Sequence, residues 1–489
     1  MKWVFKRNSL VAGVCLMAMW LLMGCVPTSE PVTVAETRLP VTAVAPTTAQ
    51  SPALLAQWNE SSDTYDIRLV DATTGVQLPG YDALPLAGNE LYMLQTAWAA
   101  DGRTLAAVAA ADGPACESES GGTACRARAA ALHLVDTKSW QSVIADLPDD
   151  GWVSTLLFNA TGTQLAVAHH TENESQLLLF DAVTGGQLAQ QPIPFRPTLI
   201  AFADDGSLVL AGADEGENRG VTKPGPFTVQ VRDGITLAEQ WSQTLPEIVH
   251  GNWCTANCEG EHTQRQTQSW QPGVVAAPDG RFLYIVHADD DMLTTVDLHG
   301  RTVQTRHIQA AQSWLERLLA RTAQTAVAKS LGDGAYKTAV LAPDGSRLYA
   351  VGFSWHIESV DGAEPEHQTE YLGLQVVDPV DGRLLASKET SAERLRLTPD
   401  GAYLLLDGWE TDGRADGLWF EVWDAVSLEL ITRLEDRQVT AVPLLDGGYV
   451  LLASTADGQQ LYLSLMSPPR FKCAPIWTAD SSAFWIAGQ

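Results

Sequence analysis

Val274-Val275-Ala276-Ala277-Pro278-Asp279-Gly280-Arg281-Phe282-Leu283-Tyr284-Ile285-Val286 is an apolar run, a tight turn and a second apolar run. Asp-Gly between two such runs is the strongest short-range signal for a hairpin, because the pair accepts the backbone angles of a two-strand reversal. The phrase returns as Ala339-Val340-Leu341-Ala342-Pro343-Asp344-Gly345-Ser346-Arg347-Leu348-Tyr349-Ala350-Val351. Related turns fall at Asp101-Gly102, Ala160-Thr161-Gly162, Asp205-Gly206, Asp400-Gly401 and Asp446-Gly447, with a degenerate one at Asp480-Ser481. A second phrase alternates with the first: a strand-like run ending in Asp, a turn, and a short apolar run. Leu177-Leu178-Leu179-Phe180-Asp181 and Phe420-Glu421-Val422-Trp423-Asp424 are examples, and turns of this kind also begin at Asp71, Asp136, Asp233, Asp297 and Asp378.

Two hairpins make a small sheet that cannot bury its own faces, so repetition implies stacking of neighbours. A four-stranded unit repeated with short turns is the blade of a β-propeller. The expected fold is therefore all-β, with eight blades favoured and seven possible if 476–486 only packs against the ring. The sequence enters on a second-type phrase near Tyr65 and leaves on a first-type phrase near Trp485, so the N- and C-terminal strands are expected to complete one blade together. In Pro278-Asp279-Gly280-Arg281 and Val422-Trp423-Asp424 the repeats resemble those of WD-repeat and YVTN-type propellers, a likeness that runs over 64–488. The Gly-His pair that opens many WD repeats is not present.

With 489 residues and 45% hydrophobic content, a sizeable core is available. The chain carries 59 acidic against 31 basic residues, a formal net charge of −28. Such a field repels phosphate backbones, which excludes nucleic acid as a partner. Lys2, Lys6 and Arg7 precede an apolar stretch, 10–23, that ends in Leu22-Met23-Gly24-Cys25. That ending resembles the lipobox of bacterial lipoproteins. The resemblance implies that 1–24 is a signal peptide, that Cys25 carries the lipid, and that the protein sits in the cell envelope facing the extracytoplasmic side. Acyl chains contribute about 0.8 kcal/mol per buried methylene, so several of them anchor durably. Residues 25–52, with Pro27, Pro31, Pro40, Pro46 and Pro52, read as a tether, and 53–489 as the propeller domain.

In a four-stranded antiparallel blade the a–b and c–d turns lie on one face of the ring, and the b–c turns and d–a links on the other. Nearly all turns of the first class are tight. The long insertions, 109–129, 213–226, 353–370 and 407–417 (b–c) and 247–271 and 309–337 (d–a), fall in the second, so the functional face is expected there. Cys116 and Cys125 bracket a Gly-rich turn and read as a disulfide, as do Cys254 and Cys258 in an oxidising compartment. Cys473 is left over, as a buried thiol or a competitor for one of these. His250, Cys254, Cys258 and His262 recur every four residues and offer a rival reading as a zinc or copper site. A helix is expected near 310–330, with Trp314 in its apolar stripe. Binding candidates on this face are His169 and His170, His287, and Asp289, Asp290 and Asp291, the last three with oxygen ligands suited to calcium. No nucleophile elbow or phosphate loop is present, and no catalytic residue is assigned. The expectation is a membrane-anchored binding, scaffold or sensor protein with a protein, peptide or glycan partner and no required cofactor. The alternative is a propeller enzyme or metalloprotein, a hydrolase, lactonase or metal-dependent oxidoreductase, with its site at the channel mouth.

Overall fold

The computed structural model describes residues 52–485 apart from 60–63, 73, 87–89, 100–101, 112–127, 149–150, 172–173, 214–222, 259–265, 309–329, 359–365, 411–416, 436, 444–448, 456–458, 467–469 and 479–483. The regular structure of the described residues is all β-strand. Six four-stranded antiparallel blades, each of consecutive strands, occupy 90–145, 152–193, 196–245, 273–307, 394–435 and 437–478. Two further sheets depart from that plan. One joins Leu84–Leu86, Thr64–Asp71, Pro52–Asn59 and Phe484–Trp485 in that order, with Leu55 opposite Trp485 and Ala56 opposite Phe484. The other has seven strands.

The repeat count is thereby corrected: six regular blades stand where eight, or seven, were expected. One repeat is divided between the first and last described strands, and another is widened by insertions. No helix is found among the described residues, and the helix expected at 310–330, Trp314 included, falls on 309–329, outside them.

The opening phrase forms its hairpin as read, with Val274 opposite Ile285 and Ala276 opposite Leu283. Its turn is held by the Gly280 N–H donating to Ala277 O at 2.9 Å and the Arg281 N–H donating to the Asp279 carboxylate at 3.0 Å. Gly280 has φ +63°, and a Cβ there would lie 2.4 Å from Ala203 Cα of the preceding blade, so no other residue fits. The second phrase uses its Asp in the same manner. Asp181 accepts from the Val183 and Thr184 N–H groups at 3.0 and 2.7 Å, and Asp424 from those of Val426 and Ser427 at 3.0 and 2.7 Å.

Side chains alternate across each blade, and both faces are covered by neighbouring blades. Val209, Phe227 and Val229 pack with Leu283, Ile285 and Val296 of the next blade. Tyr349, Leu374 and Val376 pack with Leu404, Leu406 and Trp419. Each fully buried Leu or Phe contributes about 1.5–3 kcal/mol relative to exposure, so the ring is stabilised mainly between sheets.

The seven-stranded sheet follows the order Gly251–Ala256, Gln266–Gln271, Ser330–Leu341, Leu348–Glu358, Leu374–Val377, Leu384–Lys388, with Glu366–Tyr371 pairing Leu348–Glu358 off that path. Its lower part, 337–341 with 348–352, 374–377 and 384–388, repeats the blade plan. Its upper part rises from the face expected to carry the long insertions. Residues 247–271, 309–337 and 353–370 were expected as insertions without assigned strands, and their described portions are largely β. The outer hairpin docks in parallel, from Thr267 opposite Gly332 to Gln271 opposite Tyr336.

Candidate functional site

Pairing across the raised sheet sorts its side chains into rows. One row runs Gln271, Tyr336, Phe353, Tyr371, and two rows further up Ser269, Gly334, Trp355, Thr369. Both present the same face of the pleat. The Tyr336 and Phe353 rings are nearly parallel at 5.4 Å, and Tyr371 extends the series at 6.2 Å from Phe353. Ser269 Oγ and Tyr336 Oη share a hydrogen bond of 2.6 Å. Trp355 lies flat because Gly332 and Gly334 have no side chains: a Cβ on Gly334 would stand 2.5 Å from the indole nitrogen.

This aromatic face forms one wall of a cleft of about 590 Å³. The other wall comes from the blade 394–435, through Arg394, Arg396, Asp407 and Phe420. The Asp407 carboxylate is buried and meets Arg394 Nη2 at 2.7 Å and Arg396 Nη2 at 3.8 Å, one guanidinium at each oxygen. Arg396 also stands over the Phe420 ring at 5.6 Å. Burial disfavours the charge of Arg396, and Asp407 opposes that effect. Behind this ion pair, Glu421 accepts from Trp423 Nε1 at 2.9 Å and from Arg433 at 3.2 Å, which fixes the wall.

The opposite face of the raised sheet carries a polar row, Gln268, Asp333, His356 and Gln368. His356 Nδ1 hydrogen-bonds the Asp333 carboxylate, and Gln268 donates to the other carboxylate oxygen at 3.4 Å. Asp333, His356 and Gln368 line, with Trp270, Ser354 and Glu370, a second cleft of about 480 Å³. An imidazole held at Nδ1 by a carboxylate is oriented for proton transfer.

The candidates read from the sequence are dispersed. His169 and His170 end the strand Gln164–His170 and are fully buried. His170 is hydrogen-bonded on both sides, to Ser154 Oγ at 2.7 Å and Ser175 Oγ at 2.8 Å. His250 is pushed down to about 4 by burial and packs edge-on against Phe227 at 5.6 Å. Cys254 and Cys258 are joined by a disulfide with a Cα–Cα distance of 5.6 Å. Their thiols are used in that bond, and His262 lies outside the described residues. Cys25, Cys116 and Cys125 also lie outside them, and Cys473 is on the strand Arg470–Thr478.

His287, Asp289 and Asp290 do come together, with ligand atoms within 4.8 Å of one another. His287 is buried, bonds Thr294 Oγ1 through Nε2 at 2.8 Å, and has Nδ1 3.5 Å from the Asp290 carboxylate. The Lys337 ammonium donates to Asp290 O at 2.6 Å and lies 3.9 Å from the Asp291 carboxylate. A cation of the protein's own thus stands beside the carboxylates that would hold calcium. Burial lowers the proton affinity of Lys337, and Asp291, Asp290 and Asp289 oppose it. Neither cleft is lined by His169, His170, His250 or His287.

The sequence reading missed Arg394, Arg396, Asp407, Tyr336 and Phe353. Arg394-Leu395-Arg396 carried the signal, since alternating arginines on an inner strand cannot face a core.

No family model matches the chain, and no curated protein matches it. Solved structures similar to it include dihydro-heme d1 dehydrogenase NirN in complex with DHE, at 14% identity over 97% of this chain and 85% of that one, with a TM-score of 0.46. BamB from Moraxella catarrhalis is 15% identical over 78% of this chain and 84% of that one, with a TM-score of 0.41. The Dos1 propeller is 11% identical over 81% and 86%, with a TM-score of 0.44. At these values the likeness bears on no residue of the site.

Proposed function

We propose that the protein is a non-enzymatic, lipid-anchored propeller on the extracytoplasmic side, and that it holds a protein partner on the face bearing the raised sheet. The raised sheet is the observation that carries this reading. Blade-forming repeats need only short links, yet three insertions here build an extra five-stranded layer on one face of the ring. The strand Glu366–Tyr371 pairs with Leu348–Glu358 on one side and, among the described residues, with no strand on the other. An exposed strand edge offers unpaired N–H and C=O groups to an extended segment of another chain. Gln368, Thr369 and Glu370 are exposed along it. The lipobox at Cys25 and the Pro-rich segment 25–52 support an anchor with a stiffened tether.

The test is affinity capture from native membranes with the wild-type chain and a Thr369→Pro variant, which loses a backbone N–H that faces the open edge, since the pairing places Gln368 and Glu370 with their N–H groups towards Leu348–Glu358. A protein retained by the wild type and lost at least tenfold in the variant, with its site of cross-linking mapped to 366–371, supports the reading. Equal retention by both chains overturns it. The enzyme alternative has the His356–Asp333 pair and the neighbouring Ser354 in its favour. Turnover of p-nitrophenyl acetate that is abolished by His356→Gln would replace the non-enzymatic reading.

A further inference from the structure

We propose that the turn following the strand Phe282–Val286 is a zinc site: His287 Nδ1 and the carboxylates of Asp289 and Asp290 take the ion, and its remaining positions are open to water. The inference goes beyond the partner reading, since the three ligands belong to one turn of one blade and no partner is needed to bring them together.

Among the described residues, no other three His, Cys, Asp or Glu side chains bring ligand atoms as close, within 4.8 Å of one another. Carboxylates in an exposed turn are ordinary; the imidazole beside them is not. His287 is 2% exposed and is held from behind, with Nε2 at 2.8 Å from Thr294 Oγ1 and that hydroxyl at 2.8 Å from Thr305 Oγ1. The row is satisfied when Nε2–H donates to Thr294 and Thr294 donates to Thr305, and Nδ1 then turns its lone pair to the carboxylates. An oxygen on the far nitrogen is how a ligating histidine is oriented. No hydrogen bond reaches Nδ1 from the described residues: the Asp290 carboxylate stands at 3.5 Å, longer than an N–H···O bond. Two ligand atoms each about 2.0–2.1 Å from one tetrahedral ion lie about 3.3 Å apart, so this spacing admits an ion between them.

Lys337 does not take the place of the ion. Its ammonium is spent on the Asp290 backbone carbonyl at 2.6 Å and on the Asp291 carboxylate at 3.9 Å, so it secures the turn and engages the one aspartate outside the ligand set. Asp289, Asp290 and Glu247 act on His287, and Asp291 acts on Lys337, which makes four carboxylates with one ammonium among them. The excess is negative and calls for a cation. The imidazole selects which one. Calcium and magnesium take oxygen ligands, whereas zinc accepts a nitrogen together with carboxylates. Asp290 is 48% exposed at its side chain, so the ion enters from solvent and keeps water on that side.

Isothermal titration of zinc chloride into the full chain, stripped beforehand with a chelator, tests the assignment. The wild type is expected to bind zinc at least tenfold more tightly than calcium, and Asp289→Asn/Asp290→Asn to weaken zinc at least tenfold. Cobalt in place of zinc reads the coordination: the visible absorption of tetrahedral cobalt is expected in the wild type and lost in His287→Gln. His299→Gln, which removes an exposed imidazole from a turn of the trim face, is expected to bind as the wild type does. The aspartate variant changes only the exposed turn, and it carries the test if His287→Gln fails to fold. Absence of binding to the wild type at millimolar zinc overturns the proposal, as does calcium binding as tight as zinc. Equal zinc affinity in the wild type and the aspartate variant would also overturn it, since the ion would then be held elsewhere. Loss of zinc binding leaves the capture experiment at 366–371 unaffected, so the two proposals fail separately.

Discussion

Aspartate does the same small task many times in this ring. Asp181, Asp233, Asp297 and Asp344 each accept backbone N–H groups within their own turns, from Thr184 at 2.7 Å, Thr236 at 2.8 Å, Gly300 at 2.7 Å and Ser346 at 2.9 Å. Part of the acidic excess is therefore turn-forming rather than a surface for binding cations. Those bonds favour the ionised carboxyl and hold all four below the ordinary value. Their stabilisation is present above the unfolded carboxylate value of about 3.9 and is lost as pH falls through the lower folded values. His250 acts in an earlier window. Burial holds its imidazole to about 4, against about 6.5 in the unfolded chain. The unfolded state takes up this proton first, so stability falls as pH drops from about 6.5 to about 4, by at most roughly 3 kcal/mol. Urea denaturation between pH 7 and 4 should show this loss, and His250→Leu should shrink it, leaving the part that belongs to His133 and His287, which burial also holds below the ordinary imidazole value, and the steeper decline below pH 4. An unchanged slope in the variant would assign the transition to another group.

The raised sheet shows what a period-based reading sees and what it overlooks. Hairpins closed by Asp-Gly were legible because the turn chemistry and the alternation of apolar residues point the same way. The segment Ser330–Tyr336, Ser-Leu-Gly-Asp-Gly-Ala-Tyr, carries two glycines and so reads as a link between elements. In the fold those glycines are the seat on which the Trp355 indole lies, and the strand they belong to is paired in parallel with a hairpin more than sixty residues away. No local signal contains that partner. The arginine cleft was hidden for the same reason, since its two walls come from different sheets. Gly334→Val places a side chain where a Cβ already comes within 2.3 Å of Ser269 O. Overpacking of this kind costs about 1–3 kcal/mol. Hydrogen exchange should accelerate in 266–271 and 330–336 of that variant, with 282–286 in the neighbouring blade still protected. Equal acceleration in both would mean that the raised sheet and the ring melt as one unit.

At the scale of the whole molecule, the phase of the repeat foretold the joint of the ring, though six regular blades stand where eight, or seven, were expected. Phe484–Trp485 is the inner strand against Pro52–Asn59. Deleting 479–489 should leave that edge unpaired, lower the melting temperature by several degrees and promote self-association in light scattering, as open strand edges do. A deletion variant that stays monomeric and melts unchanged would show that the joint is ornamental. The same pairing also sets an order of events. Leu55 leaves the ribosome more than four hundred residues before its neighbour Trp485 exists, and at about 5–20 residues per second that wait lasts tens of seconds. Through that interval the earliest strands have no inner partner and must be kept from pairing elsewhere. Completion of the ring thus waits on Phe484 and Trp485: a chain cut short before them displays its first strand.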